Sequence, residues 1–436
     1  MSPVTNRTWQ NWAGNQQATP RRVEAPGTTA EVAEAVRSAA GDGLTVRMTG
    51  TGHSFTGAAV ADGVLLRPSG LTAVRSVDTA SGLVTVEAGL PLHALNRVLD
   101  EHGLALANMG DIQEQTVAGA IQTATHGTGR DSAGLVSQVA ALELVLADGT
   151  VVTCSREERP ELFDAARAGL GALGIVTAVT WQTVPAFLLR AEEAPMKWDE
   201  VLARIDELDD ANEHFEFYWF PHTEGCLTKR NNRAEGPAEP LSKFRYWLDD
   251  QFLSNSVFGV INRVTHRAPS ATPFVNGISA KALGARTYSD TSYKVFTSPR
   301  TVRFKEQEYG IPREALVPAL RELRSLFTKR DWRISFPIEV RLLPQEDAWL
   351  SMAHGRRSAF IAVHVYNRVP HEDYFQGVED LMTALDGRPH WGKLHTRDAA
   401  YMDKVYPRFG DFRALRDELD PERRFANAYT EQVFGE

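Results

Sequence analysis

Cysteine is almost missing from this chain: Cys154 and Cys226 are the only two. They are too few for a disulfide framework and lack metal-ligand spacing, so a reduced, cytoplasmic setting is expected. Nowhere do roughly eighteen apolar residues run together, which argues against a membrane-spanning helix, and no membrane partner is expected. The opening residues lack the apolar stretch of a secretory leader. Clustered positive charge is missing too. The net charge is -9, and lysines and arginines are never gathered as a run of phosphates would demand, so nucleic acid is not an expected partner. No internal repeat, low-complexity segment or HExxH-type spacing occurs, so no metal is expected and a metal-dependent hydrolase has no support.

What is present is an ordinary globular composition, 43% hydrophobic and 24% charged, over 436 residues. One core rarely grows beyond roughly 250–300 residues, so two domains are expected. Residues 1–185 alternate short β-branched runs with helix-like runs, an α+β pattern. Residues 29–40 read as a helix and 44–48 as a strand. Residues 83–87 alternate as a strand, with Pro91 in the first turn of a helix to about 101. Residues 139–147 and 151–154 flank Asp148-Gly149, residues favoured in a tight hairpin turn. From 186 the chain turns aromatic, with 214–220 alternating as a strand, and 231–242 reads as an exposed loop.

Three glycine-rich loops fall in the first domain. The first, Thr49-Gly50-Thr51-Gly52-His53-Ser54, follows a strand but lacks the third glycine and the helix of a dinucleotide fingerprint. Its backbone N–H groups could face a pyrophosphate. Taken alone, a simple tight turn fits as well. The others are 110–129 and 169–176, and together they suggest backbone from several segments approaching one extended ligand. In the second domain, Phe336-Pro-Ile-Glu-Val-Arg-Leu342 reads as a strand whose period of two puts Glu339 and Arg341 on one face. Residues 360–366 alternate so that Ala362, His364 and Tyr366 share a face.

The loop Val46-Arg47-Met48-Thr49-Gly50-Thr51-Gly52-His53-Ser54 resembles the flavinylation loop of the vanillyl-alcohol-oxidase superfamily, in its sugar-lactone and alditol oxidase branch. Asn11-Trp12-Ala13-Gly14, Ala124–Gly129, Gly171–Gly174, Glu308-Tyr309, Pro312–Glu314, Pro389–Lys393, Asp420-Pro421, Phe425 and Asn427 extend the likeness across nearly the whole chain. The resemblance implies FAD joined covalently to His53. It implies an FAD-binding domain over 1–185, completed by about 409–436, and a substrate-binding cap over 186–408 with a mixed or antiparallel sheet.

Carried over residue by residue, the flavin would meet Arg47, Gly50, Thr51, Gly52 and Ser54, then Gly110, Asp111, Thr116, Gly119 and Thr123. It would also meet Gly127, Gly174, Ile175, Lys393 and Asn427. His126 either touches the flavin or holds its loop together. Glu339, Arg341, His364 and Lys393 would line the space before the flavin. There Lys393 and Arg341 bind substrate oxygens or the reduced flavin's negative charge, and His364 and Glu339 accept or position the hydroxyl proton. Asp111 stands where alditol oxidases have a serine at the substrate's terminal hydroxyl. It either favours a substrate rich in hydroxyl donors or caps its loop. Gly110 occupies the place that governs oxygen access, and without a side chain it favours an oxidase.

The expected reaction is therefore oxidation of an aldono-1,4-lactone such as L-gulono- or D-arabinono-lactone, with O2 reduced to hydrogen peroxide. Alternatives are a polyol substrate, or a dehydrogenase passing electrons to a cytochrome or quinone. A carbohydrate-binding module would lack the colour of a flavoprotein. The oligomeric state is left open.

Overall fold

Local pattern decides which runs become which elements. In the helix Thr29–Gly41, Val32, Ala33, Val36 and Ala39 fall at spacings of three and four and turn inward, and the Thr28 hydroxyl accepts from the Glu31 N–H at its start. In the strand Leu83–Glu87, Val84 and Val86 point into the core while their neighbours are half-buried. A fully buried side chain of that size stabilises by roughly 1.5–3 kcal/mol. The structure is a computed structural model that describes residues 8–282 and 284–436, and only the backbone of Asp250 and Ser254. Most of the opening stretch read for a leader therefore lies outside the described residues.

The fold is α+β. Near the N-terminus, Arg22–Glu24, Val64–Leu66 and Val46–Met48 form a parallel sheet in that order. Beside it runs an antiparallel five-stranded sheet in the order Val151–Ser155, Val139–Val145, Ile175–Gln182, Leu83–Glu87 and Val74–Asp78. An eight-stranded antiparallel sheet follows, ordered Arg286–Thr291, Leu188–Lys197, Gly225–Ala234, His214–Trp219, Ile338–Leu343, Ser358–Tyr366, Phe304–Pro312 and Arg388–Pro389. The C-terminal segment returns to the first part: Phe425 packs with Val36, Val46 and Val64, and Asn427 Nδ2 donates to the carbonyls of Gly57 and Val60.

Element boundaries shift where tertiary contacts override local pattern. The strand expected from 44 begins at Val46, because the Leu44 N–H still closes the preceding helix on the Ala39 carbonyl. Pro91 sits before the helix Leu92–Glu101 in extended backbone, as its cap rather than in its first turn. The loop expected over 231–242 is shorter. Asn231 to Ala234 pair with Leu188 to Ala191, and Asn231 also pairs with His214, so a two-sided ladder outweighs the turn preference of asparagine.

Candidate active site

The three glycine loops converge. Residues of Arg47–Ser54, Gln115–Thr123 and Leu170–Val176 line one cleft. A Cβ on Gly50 would stand 2.5 Å from Thr116 Oγ1, so two of the loops touch where only glycine fits. The lining is backbone and small side chains for most of its length, which suits an extended dinucleotide with a pyrophosphate at its middle. Gly52, Ser54, Gly119, Thr123, Gly174 and Ile175 all border it. His53 borders it too, its Nδ1 2.9 Å from Thr51 Oγ1 and its ring stacked 6.0 Å from that of Trp12. Burial lowers its pKa, with Lys393 adding to the effect and Glu114 opposing it, so the neutral imidazole is favoured.

Asn427 and Arg47 act as fasteners. Arg47 lines the cleft, yet its guanidinium donates to the backbone carbonyls of Ala58, Leu170 (2.7 Å) and Phe425 (2.8 Å), tying the His53 loop to the third glycine loop and the C-terminus. Gly110, Asp111, His126, Gly127, Lys393 and Asn427 do not border the cleft. His126 lies buried under Phe360, its Nδ1 bonded to the Gly127 carbonyl and its Nε2 3.5 Å from Glu308. Its hydrogen bond is thus to its own loop.

The far side of the site is one face of the eight-stranded sheet. Cross-strand register places Lys229 opposite Glu216, Glu216 opposite Arg341, Tyr218 opposite Glu339, and Glu306 opposite His364. Arg341 is the hub. Its Nη2 stands 2.5 Å from Asp111 Oδ1 and also meets Glu339, and its Nε donates to Glu216 at 3.2 Å. Arg300 donates to the other Asp111 oxygen at 2.7 Å, and the Tyr218 hydroxyl donates to Glu339 at 2.9 Å. Lys393 donates to Glu306, and His364 Nε2 stands 3.4 Å from Glu306 and 4.0 Å from Glu339. Glu339, Arg341, His364 and Lys393, expected together, do form one cluster. Their partners Glu216, Tyr218, Lys229, Arg300 and Glu306 escaped the sequence reading. Alternation in His214–Trp219 puts Glu216 and Tyr218 on one face and would have signalled those two.

Opposite charges tune the carboxylates. Burial raises Asp111, but Arg341 and Arg300 outweigh it and hold the carboxyl below its ordinary range. Lys393 and His364 do the same for Glu306. Burial prevails at Glu339, pushed up to about 7 against the pull of Arg341. It prevails at Glu308 too, also pushed to about 7, and His126 beside it is lowered by burial to about 4. The cleft and this face meet at residues 391–393. Phe55 N–H donates to the Gly392 carbonyl at 2.7 Å, Thr56 Oγ1 to that of Trp391 at 2.9 Å, and Lys393 Nζ lies 5.3 Å from the Phe55 ring.

Comparisons with known proteins identify the family. Residues 20–155 match the FAD binding domain family and residues 179–433 the D-arabinono-1,4-lactone oxidase family. The chain is 41% identical to L-gulono-1,4-lactone dehydrogenase of Mycobacterium tuberculosis over 100% of each chain. It is 34% identical to L-gulonolactone oxidase of Bos taurus over 98% of each. With alditol oxidase of a Streptomyces species it shares 32% identity, covering 96% of this chain and 97% of the relative. In fold it is similar to cholesterol oxidase from Brevibacterium sterolicum, with a TM-score of 0.83 at 19% identity over 98% of this chain and 96% of that one.

Proposed function

This chain belongs to the sugar-lactone oxidase branch of the vanillyl-alcohol-oxidase flavoproteins, FAD-dependent oxidoreductases acting on CH–OH groups of sugar-derived substrates, and we propose that its own substrate is an aldono-1,4-lactone and its flavin is bonded to His53. One observation carries this reading: a glycine-walled cleft bearing His53 abuts a sheet face of alternating buried charges. FAD supplies the two-electron acceptor. Residues 1–185 with 409–436 would hold it, and 186–408 would form the cap over the substrate. Reduced, buried thiols at Cys154 and Cys226 support a cytoplasmic setting.

In this reading Arg341 and Lys393 bind the substrate's oxygens and fix the carbinol carbon before the cleft. Glu339, with a pKa matched to neutral pH, takes the hydroxyl proton while Tyr218 and Arg341 hold its carboxyl in place. His364, between Glu306 and Glu339, positions the reacting hydroxyl. Asp111 and Arg300 supply a charged rim for the remaining hydroxyl groups. Oxygen is the proposed final acceptor, leaving as hydrogen peroxide, because the family resemblance puts Gly110, which has no side chain, at the position that governs oxygen access. The relative at 41% identity is named a dehydrogenase, which makes another acceptor the second reading.

The test is acid precipitation of purified protein, wild type and His53→Ala. Yellow colour staying in the wild-type pellet and leaving the variant's supports the bond; colour in both supernatants refutes it. Anaerobic reduction by L-gulono-1,4-lactone, followed by air with peroxide detection, tests substrate and acceptor. No bleaching by lactones would sink the substrate assignment, and slow reoxidation without peroxide would favour the dehydrogenase.

A further inference from the structure

Two helices of the cap are built inside out. In Phe258–Arg267 the buried positions include Asn262 and Thr265, while Val260 and Val264, one turn apart, are 52% and 48% exposed. In Thr272–Ala282 the buried positions are Thr272 and Asn276, and Phe274 and Ile278 are 72% and 54% exposed. The inward asparagines are hydrogen-bonded to the body. Asn262 accepts from the Ser335 hydroxyl at 2.7 Å, and Asn276 donates to the carbonyls of Pro221 and Ile334, both at 3.0 Å. The preceding turns repeat the pattern. Asn255 is buried against Pro299 and Thr301, and Trp247, stacked 5.4 Å from Phe252, faces outward with Phe244 and Leu253.

Polar anchors inside and apolar side chains outside fix these helices to the body in one orientation and leave the apolar side in water. Of the eleven exposed large hydrophobic residues among those described, all but Val74 and Val151 lie between 244 and 278. A patch so concentrated marks a surface that is covered in use.

Charge identifies what covers it. Lys243, Arg245, Arg263, Arg267 and Lys281 against Asp249 and Asp250 give residues 243–282 a net charge of +3, in a chain whose total is -9. The remainder is thus at -12, so this segment stands apart from the rest of the chain in carrying the sign that suits an anionic surface. A second copy docking face to face would set these cations against their own kind. Aromatic and aliphatic side chains ringed by arginine and lysine instead match a helix lying in the headgroup plane of a bilayer.

We propose that the helices over 243–282 dock this enzyme peripherally on an anionic lipid bilayer, with Phe274, Ile278, Val260 and Val264 inserted and Arg263 and Arg267 on the headgroups. No helix among the described residues is long and apolar enough to cross a membrane, so the contact is monotopic. It also refines the expectation that no membrane partner exists, which considered spanning segments only.

The whole protein is sedimented with phosphatidylcholine vesicles, with and without phosphatidylglycerol, and scored by protein in the pellet rather than by turnover, so the outcome is independent of the substrate assignment. Binding is expected only with phosphatidylglycerol present and weakens with salt. Phe274→Ser/Ile278→Ser and Arg263→Glu/Arg267→Glu should each lower the bound fraction about tenfold or more, since burying one such apolar side chain is worth about that factor and each arginine at an anionic surface about fivefold. Lactone turnover in solution should not change. Failure to pellet with anionic vesicles, or equal pelleting of wild type and variants, overturns the proposal. So does a dimer in solution that dissociates in Phe274→Ser/Ile278→Ser without any lipid binding, which would make this a self-association face.

Discussion

Arg341 and Asp111 meet at 2.5 Å, joining a strand of the eight-stranded sheet to the loop that begins at Gly110. Arg300 holds the other carboxylate oxygen, so Asp111 is the shared counter-ion of two guanidinium groups. In Asp111→Ser, Arg341 keeps Glu216 and Glu339 and the fold survives, but the rim loses its charge. The kcat/KM for L-gulono-1,4-lactone should fall about tenfold to a hundredfold, chiefly through KM, because a buried charge-assisted contact is worth about 1.5–3 kcal/mol. Turnover of a polyol such as xylitol should rise relative to the lactone. Steady-state kinetics on both substrates check this, and an unchanged ratio would remove Asp111 from the specificity rim.

A carboxyl with a pKa of about 7 gives a pH profile that can be read directly. If Glu339 takes the hydroxyl proton, it must be ionised, so kcat/KM should climb through pH 7 and level off above it. Glu339→Gln should lower kcat by about a hundredfold or more and flatten this limb, in line with the usual size of general-base contributions. A variant that keeps the same limb would assign the titration to another group.

Sequence patterning revealed the parts of the site that lie close together along the chain. Glu339 and Arg341 are two apart on a strand, and their shared face follows from the pleat alone. The partners were not legible in the same way. That Glu216 faces Arg341 and Glu306 faces His364 depends on which strands are neighbours and in what register, and both are set by the packing of the whole eight-stranded sheet. Arg300 enters from a segment with no regular structure at all. The same gap between local signal and tertiary outcome explains 231–234, where asparagines read as a loop became ladder, and the asparagines of the inverted helices, whose polarity says nothing of which way they turn.

Arg47 contributes order to the cleft through carbonyls from three separate segments. Arg47→Met keeps the unbranched apolar stem and removes every one of these donors, leaving buried carbonyls of Leu170 and Phe425 without them. At about 1–3 kcal/mol for each such unsatisfied group, the variant should lose several kcal/mol in urea denaturation. It should also retain less flavin after purification, read as the ratio of visible to ultraviolet absorbance. Full flavin content together with full stability would show that the loops hold themselves in place.

Glu308 carries a cost that depends on pH. It is buried, its folded pKa is about 7, and the unfolded value is about 4.3. A carboxyl raised on folding holds its proton more tightly in the folded state, so its share of stability is fully present below about pH 4 and is lost as pH rises toward 7. His126, lowered to about 4 by burial, works in the opposite sense between pH 4 and 6.5, but it is present in wild type and variant alike and largely cancels in their difference. Glu308→Gln keeps the shape of the neutral acid and cannot ionise. It should therefore nearly match wild type at about pH 4 and exceed it at pH 8 by about 1–3 kcal/mol in urea midpoint measurements, a part of the roughly 3.7 kcal/mol that the full shift represents. A gain equal at both pH values would mean that the substitution acts through packing. A loss at pH 8 would mean that the carboxylate is ionised and held by a partner, with Lys393 the strongest of the positive charges that act on it.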